Sequence, residues 1–156
     1  MTLTYWGFDN AAHTGELVVH AEVASRVAAA MNTLFQARFP IQRMQLVDVY
    51  GGSDDASMAA NNTSGFNCRL TTSGTRWSEH SYGRAIDINP VQNPYLSSGG
   101  TVLPPAGAPY VDRTRADPGM IHDGDVVVQA FAAIGWAWGG HYQSIKDWQH
   151  FSSTGR

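Results

Sequence analysis

The sequence predicts an α+β fold, a mostly antiparallel sheet with two main helices packed on it. Three observations predict it. Only two segments, 21–38 and about 124–134, repeat their apolar residues at helical spacing. The remaining apolar runs are strand-sized and bounded by Gly, Pro, Asn and Ser. These runs do not alternate regularly with the helices, as a parallel βαβ sheet would require.

Residues 3–8 and 16–19 read as short strands. In 21–38, Val23, Val27, Met31 and Leu34 fall on one helical face, and Pro40 ends the segment. Met44–Tyr50 reads as a strand closed by Gly51 and Gly52. Residues 51–78, rich in Gly, Ser, Asn, Thr and Asp, read as a long ordered loop with one helical turn, and loops of that length are often functional. Arg84–Asn89 reads as a strand with Ile86 and Ile88 on one face and Ala85, Asp87 and Asn89 on the other. Pro90 stops it, and a Pro/Gly-rich excursion over 90–120 holds six of the seven prolines. In the second helix, Asp123 or Asp125 supplies the cap, Val126, Val127, Ala130, Phe131 and Ile134 the buried face, and Gly135 the C-terminal end. Trp136–Gly139 and Trp148–Ser152 read as closing strands.

A chain of 156 residues suits a single domain spanning 1–156. The net charge of −3 argues against a nucleic-acid partner, which calls for a basic excess. An apolar content of 43% argues against disorder. No run approaches the roughly 20 apolar residues of a transmembrane segment, and Met1–Trp6 shows neither the basic nor the apolar part of a signal peptide. With Cys68 as the one cysteine, an intrachain disulfide and a Cys-rich zinc site are both excluded; Cys68 reads as a small buried hydrophobe. Nine of the ten basic residues are Arg, and Arg69, Arg76 and Arg84 fall close together. Arg binds carboxylates bidentately through its planar fork.

The chemistry concentrates in two segments. Ser78-Glu79-His80-Ser81-Tyr82-Gly83-Arg84-Ala85-Ile86-Asp87 brings His80 on a loop, a Gly that permits close approach, and Asp87 on a strand between core isoleucines. A carboxylate so placed is costly unless it is paired, with Arg84 for example, or bound to a metal. Asp147-Trp148-Gln149-His150 adds a second His and a second carboxylate. Two His and one Asp with an open fourth position is the ligand pattern of a catalytic zinc. Such a metal lowers the pKa of its water to about 7, and Asp147 is then the spare carboxylate for proton transfer. Trp77, Tyr82 and Trp148 read as core or pocket wall, and His122 and His141 as surface or structural residues, His141 being the better placed to line a cleft.

Ser78-x-His80-x-x-Gly83-x-Ala85-x-Asp87 followed by Asp147-x-x-His150 resembles the zinc D-Ala-D-Ala carboxypeptidases, the VanY-like group that also holds L-alanyl-D-glutamate peptidases of phage endolysins. The similarity runs through 57–95 and 119–151. It implies a Hedgehog/DD-peptidase-like fold, zinc (Zn2+) on His80, Asp87 and His150, and Asp147 as general base and later proton donor. It also implies Arg69, eleven residues before His80, as the group that polarises the scissile carbonyl or holds substrate, and Ser78 as a substrate neighbour. The implied substrate is a peptidoglycan stem peptide, cut at D-Ala-D-Ala or at L-Ala–D-Glu. The protein is then expected to act as a monomer outside the membrane, secreted, periplasmic or in the cell wall. A module that holds zinc without catalysis is the contrasting expectation.

Overall fold

A computed structural model describes residues 1–72 and 74–155. The chain opens with an antiparallel hairpin of β1 (Thr2–Trp6) and β2 (Ala12–Glu16), Thr2 facing Glu16 and Trp6 facing Ala12. The second strand therefore ends where 16–19 was expected to begin one. The turn at residues 7–11 closes the pairing early, and Leu17 passes directly into the core.

A single 3-10 turn, Ala21–Val23, leads into α1 (Ala24–Gln36), which buries Val27, Ala30, Met31 and Leu34 as the spacing predicts. The expected strand over 44–50 is absent. Only β3 (Arg43–Met44) is extended, and Val47–Tyr50 is a 3-10 turn closed by Gly51 in the left-handed conformation. The physical reason lies in the buried positions, Ile41, Met44 and Val47. They recur every third residue, the 3-10 period, where a strand needs every second. Ser53 caps α2 (Asp54–Ala59), its Oγ accepting from Ala56 N at 3.2 Å, and β4 (Asn62–Thr63) then pairs in parallel with β3.

Next come β5 (Ala85–Asp87), β6 (Tyr95–Leu96), β7 (Val102–Leu103), α3 (Val126–Ala133), β8 (Ala137–Trp138), β9 (Lys146–Asp147) and β10 (His150–Ser152). Asp125 caps α3, its Oδ1 accepting from Val127 N and Val128 N at 2.9 and 3.0 Å. Among the described residues the strands form four small sheets, β1-β2, β3-β4, β5-β10-β8 and β7-β6-β9. All pairs but β3-β4 are antiparallel. The mixture is α+β as expected, but the expected single sheet is divided because the Pro- and Gly-rich segments leave strands only two or three residues long after the first hairpin.

The core between α1, α3 and β10 positions the site. Phe131 of α3 stacks on Phe151 of β10 with ring centroids 4.4 Å apart, and both rings are fully buried. Each such ring contributes about 1.5–3 kcal/mol through burial, and the stacked pair roughly 0.5–1.5 more. Phe151 is the neighbour of His150, so the helix anchors the strand that carries a site residue. The 90–120 excursion is pinned from the other side. The Arg113 guanidinium donates to Gln92 O, Tyr110 O, Asn93 Oδ1 and Ile121 O at 2.6–3.1 Å, and it stacks 4.8 Å over Trp148. Burial lowers its pKa to about 10, still well above neutral, so the clamp stays charged. No helix among the described residues is long and apolar enough to cross a membrane.

Candidate metal centre

Strand register builds half of the centre. In the β5-β10 pair, Asp87 lies directly opposite His150, and facing residues on antiparallel strands bring their Cβ atoms within about 4.5–5.5 Å. His80 enters from the 3-10 turn Glu79–Tyr82. Ser78 Oγ caps that turn by accepting from His80 N at 3.3 Å. Gly83 ends it at φ +62°, where a Cβ would stand 2.6 Å from His20 N. Both the backbone conformation and the close approach demand glycine there.

The three side chains converge. His80 Nε2 lies 3.0 Å from Asp87 Oδ2, His150 Nδ1 2.9 Å from Asp87 Oδ1, and the two ring nitrogens 3.2 Å from each other. All three residues are buried, at 1%, 4% and 7% exposure for His80, Asp87 and His150. His80 Nδ1 is 2.6 Å from the Gly65 carbonyl. A carbonyl only accepts, so Nδ1 carries a proton, and Nε2 is the ring nitrogen turned toward the other two residues. Metal-binding histidines are commonly oriented this way.

The donor set fits a zinc ion. Two ligand atoms each about 2.0–2.2 Å from zinc at a tetrahedral angle stand roughly 3.3 Å apart, close to the spacing seen here. Burial alone would raise the Asp87 pKa, but the His80 and His150 rings hold it below the usual carboxylate range. The carboxylate is therefore ionised, the form a metal requires. Of the arginines expected as possible partners of Asp87, Arg84 turns outward to Glu22 at 2.7 Å, whereas Arg69 reaches Asp87 Oδ2 at 3.8 Å.

Asp147 arrives from a different sheet, on β9 opposite Tyr95 of β6. It packs under Gly139, where a Cβ would meet Asp147 Cβ at 2.9 Å. Its Oδ1 is buried and has no protein hydrogen-bond partner. Burial, with Asp87 nearby, pushes its pKa from 3.8 up to about 6, against the lowering effect of His150 and Arg69. A carboxylate that titrates there is suited to exchanging protons near neutral pH.

Arg69 completes the group. Its Nη2 lies 3.8 Å from Asp87 Oδ2, and its Nε 3.0 Å from Asp54 Oδ1, in an ion pair whose Nε–H is not aimed along the line of contact. The backbone around it is laced to the His80 turn. Asn67 N donates to His80 O, Ser78 N to Arg69 O, and Arg69 N to Ser81 Oγ, at 3.0–3.1 Å, and Ser81 Oγ donates to Arg69 O at 2.8 Å. Asp54, Ser81 and Gly65 are site-building residues that the sequence reading did not single out.

Arg69, Ser78, Asp147 and His150 line one open cleft of about 1310 Å³, with Trp77 and Tyr82 more than half exposed on its wall. A smaller pocket of about 150 Å³ shares Arg69 and Asp147 and reaches back to Asp54, Asp87 and Gln149. Trp148, by contrast, is core. His141 lines the cleft and pairs with Asp123 at 2.8 Å. His122 instead precedes α3, its backbone N–H donating to Asp125 Oδ2 at 2.8 Å. Cys68 is exposed rather than buried. The loop alternates there, turning Asn67 inward and Phe66, Cys68 and Leu70 outward.

A family model described as D-alanyl-D-alanine carboxypeptidase matches residues 71–153, more than half of the chain. The matched range includes Ser78, His80, Asp87, Asp147 and His150 and begins after Asp54 and Arg69. No curated protein and no solved structure matches the chain.

Proposed function

From the premise that this chain belongs to the D-alanyl-D-alanine carboxypeptidase family, we propose that it is a zinc-dependent peptidase that removes the terminal D-Ala of peptidoglycan stem peptides. The observation that carries the reading is the convergence of His80, Asp87 and His150 beside a buried carboxylate, Asp147, that titrates at about 6. In this reading residues 1–156 form one catalytic domain of Hedgehog/DD-peptidase type, active as a monomer outside the membrane, secreted, periplasmic or in the cell wall.

His80 Nε2, His150 Nδ1 and an Asp87 oxygen would hold the metal. When bound, it would supply Lewis-acid polarisation of the scissile carbonyl and a more acidic water. The chain's own residues do the rest. Asp147 is ionised above pH 6, so its carboxylate accepts the proton of the attacking water. It returns that proton to the departing amine. Arg69 Nη2 faces the same space and donates to the oxygen on which charge develops, a contribution of roughly 3–4 kcal/mol for a well-placed donor. Ser78 supplies a substrate contact on the cleft wall.

One observation favours a second reading. The cleft of about 1310 Å³ exceeds the roughly 300–1,000 Å³ of a small-molecule pocket. That size suits a peptide extending on both sides of the cut bond, as an L-alanyl-D-glutamate endopeptidase needs. Mass spectrometry of a stem pentapeptide ending in D-Ala-D-Ala, incubated with zinc-loaded protein with and without chelator, separates the two. Chelator-sensitive loss of one C-terminal alanine is the expected result. Release of the N-terminal alanine would establish the endopeptidase. An intact peptide, together with intact cross-linked wall, beside stoichiometric zinc would overturn both and leave a zinc-holding binding module.

A further inference from the structure

We propose that Asp54 is a positioning residue of the site: it fixes the Arg69 guanidinium so that its Nη2 edge faces the substrate. The inference rests on the peptidase reading for its kinetic part and on geometry for the rest. Asp54 lies at the start of α2, fifteen residues before Arg69 and outside the matched range. Its Oδ1 takes the ion pair from Arg69 Nε at 3.0 Å and a hydrogen bond from Asn67 Nδ2, also at 3.0 Å.

Three features make this more than a surface ion pair. Both side chains are about three-quarters shielded, 24% exposed for Arg69 and 26% for Asp54, so solvent competes less than it does for exposed pairs. The pair is oriented: Nε lies against Asp54 Oδ1 at 3.0 Å as an ion pair, Nη1 donates to Leu70 O at 3.4 Å, and Nη2 lies 3.8 Å from Asp87 Oδ2. Asn67 ties Asp54 to the metal-centre turn, because its own backbone N donates to His80 O. Partial burial raises the Asp54 pKa while the Arg69 cation lowers it. Without Asp54 the long Arg69 side chain loses its anchor and samples other rotamers. Asp54 itself touches no reacting atom in this arrangement.

The test uses the full chain loaded with zinc. In ¹⁵N-labelled protein, the Arg69 guanidinium resonances, identified by their loss in Arg69→Ala, are expected to be resolved and restricted in the parent and rotationally averaged in Asp54→Asn. Asp54→Glu, which keeps the charge, should restore part of the restriction and serves if the Asn variant folds poorly. In hydrolysis, Asp54→Asn should lower kcat/KM by about 10- to 100-fold, the size expected for a misplaced catalytic group, with zinc content unchanged. In the Arg69→Ala background the same substitution should have no further effect on kcat/KM. Unchanged Arg69 resonances in Asp54→Asn, or losses that multiply across the two sites, would overturn the assignment. If the parent hydrolyses no stem peptide, the peptidase reading fails, and the resonances still decide whether Asp54 holds Arg69.

Discussion

The two walls of the centre are held in opposite ways. His80, Asp87 and His150 are almost completely buried, placed by strand register and a capped turn, and bonded to one another and to Gly65. Arg69, Asp54 and Asp147 sit where the cleft opens, come from a loop, a short helix and a two-residue strand, and include a carboxylate oxygen with no protein partner. The first wall is built to hold still, as a ligand set must be. The second keeps buried polar atoms without a hydrogen-bond partner, Asp147 Oδ1 and Arg69 Nε, beside the cleft. A protein holds such groups only at a cost in stability, and in the proposed function the first wall holds the metal while the second carries the reaction.

The comparison breaks most sharply at the ligand wall. His150→Ala is expected to lose bound zinc, since two remaining ligands rarely hold the metal, and hydrolysis should fall on the order of 10³-fold or more with the loss of Lewis-acid help. Elemental analysis of the purified variant checks the first point and peptide assay the second. Stripping zinc from the parent should also lower its Tm, because a ligand that binds only the folded state stabilises it. A His150→Ala protein that purifies with a full zinc equivalent contradicts the centre.

Asp147→Asn tests the reaction wall and should separate stability from function. Zinc should stay, kcat should fall by about 10²–10⁴-fold, and the acidic limb of the parent's pH profile, which rises as Asp147 ionises at about 6, should vanish. The stability sign is opposite to that of most paired carboxylates. Here the folded pKa lies above the ordinary 3.8, so the folded state binds the proton more tightly and stability falls as pH rises from 3.8 to about 6. At neutral pH the metal-free protein holds an ionised, poorly solvated carboxylate, and Asn removes that charge. Calorimetry of the metal-free proteins at neutral pH should therefore show a higher Tm for Asp147→Asn than for the parent. A variant with the parent's activity would remove Asp147 from the proton-transfer role.

The same contrast explains what could be read from the sequence. His80, Asp87, Asp147 and His150 occur in two short blocks whose spacing survives folding, since Asp87 and His150 become direct cross-strand neighbours. The two longer helices, α1 and α3, were legible because Val27, Met31 and Leu34, or Val127, Ala130 and Phe131, repeat with the helix. Asp54 was not legible. Its partner lies fifteen residues away across a loop without periodicity, and nothing in local spacing records that contact. The strand expected over 44–50 failed for a related reason, because an apolar-rich run shows its residue types more plainly than its period of three. The small sheets escaped notice because two-residue strands such as β6 and β9 are set by tertiary contacts rather than by their own pattern.

The smallest expected effect lies where the two walls meet, at Ser78. Its Oγ accepts from His80 N at 3.3 Å, a cap on the turn that carries His80, and the residue also lines the cleft. A hydroxyl has a donor as well as acceptors, and the cap uses only an acceptor. The proton is thus the part of Ser78 suited to substrate. Ser78→Ala should cost the cap, about 0.5–2 kcal/mol, lowering Tm by roughly 2–4 °C for each kcal/mol in a chain of this size, and should raise KM with little change in kcat. Ser78→Thr should restore both quantities. Ser78→Asp supplies the acceptor without the donor, so it should restore Tm while KM stays high. If Asp restores both, Ser78 belongs wholly to the ligand wall, and its place beside the substrate is coincidental.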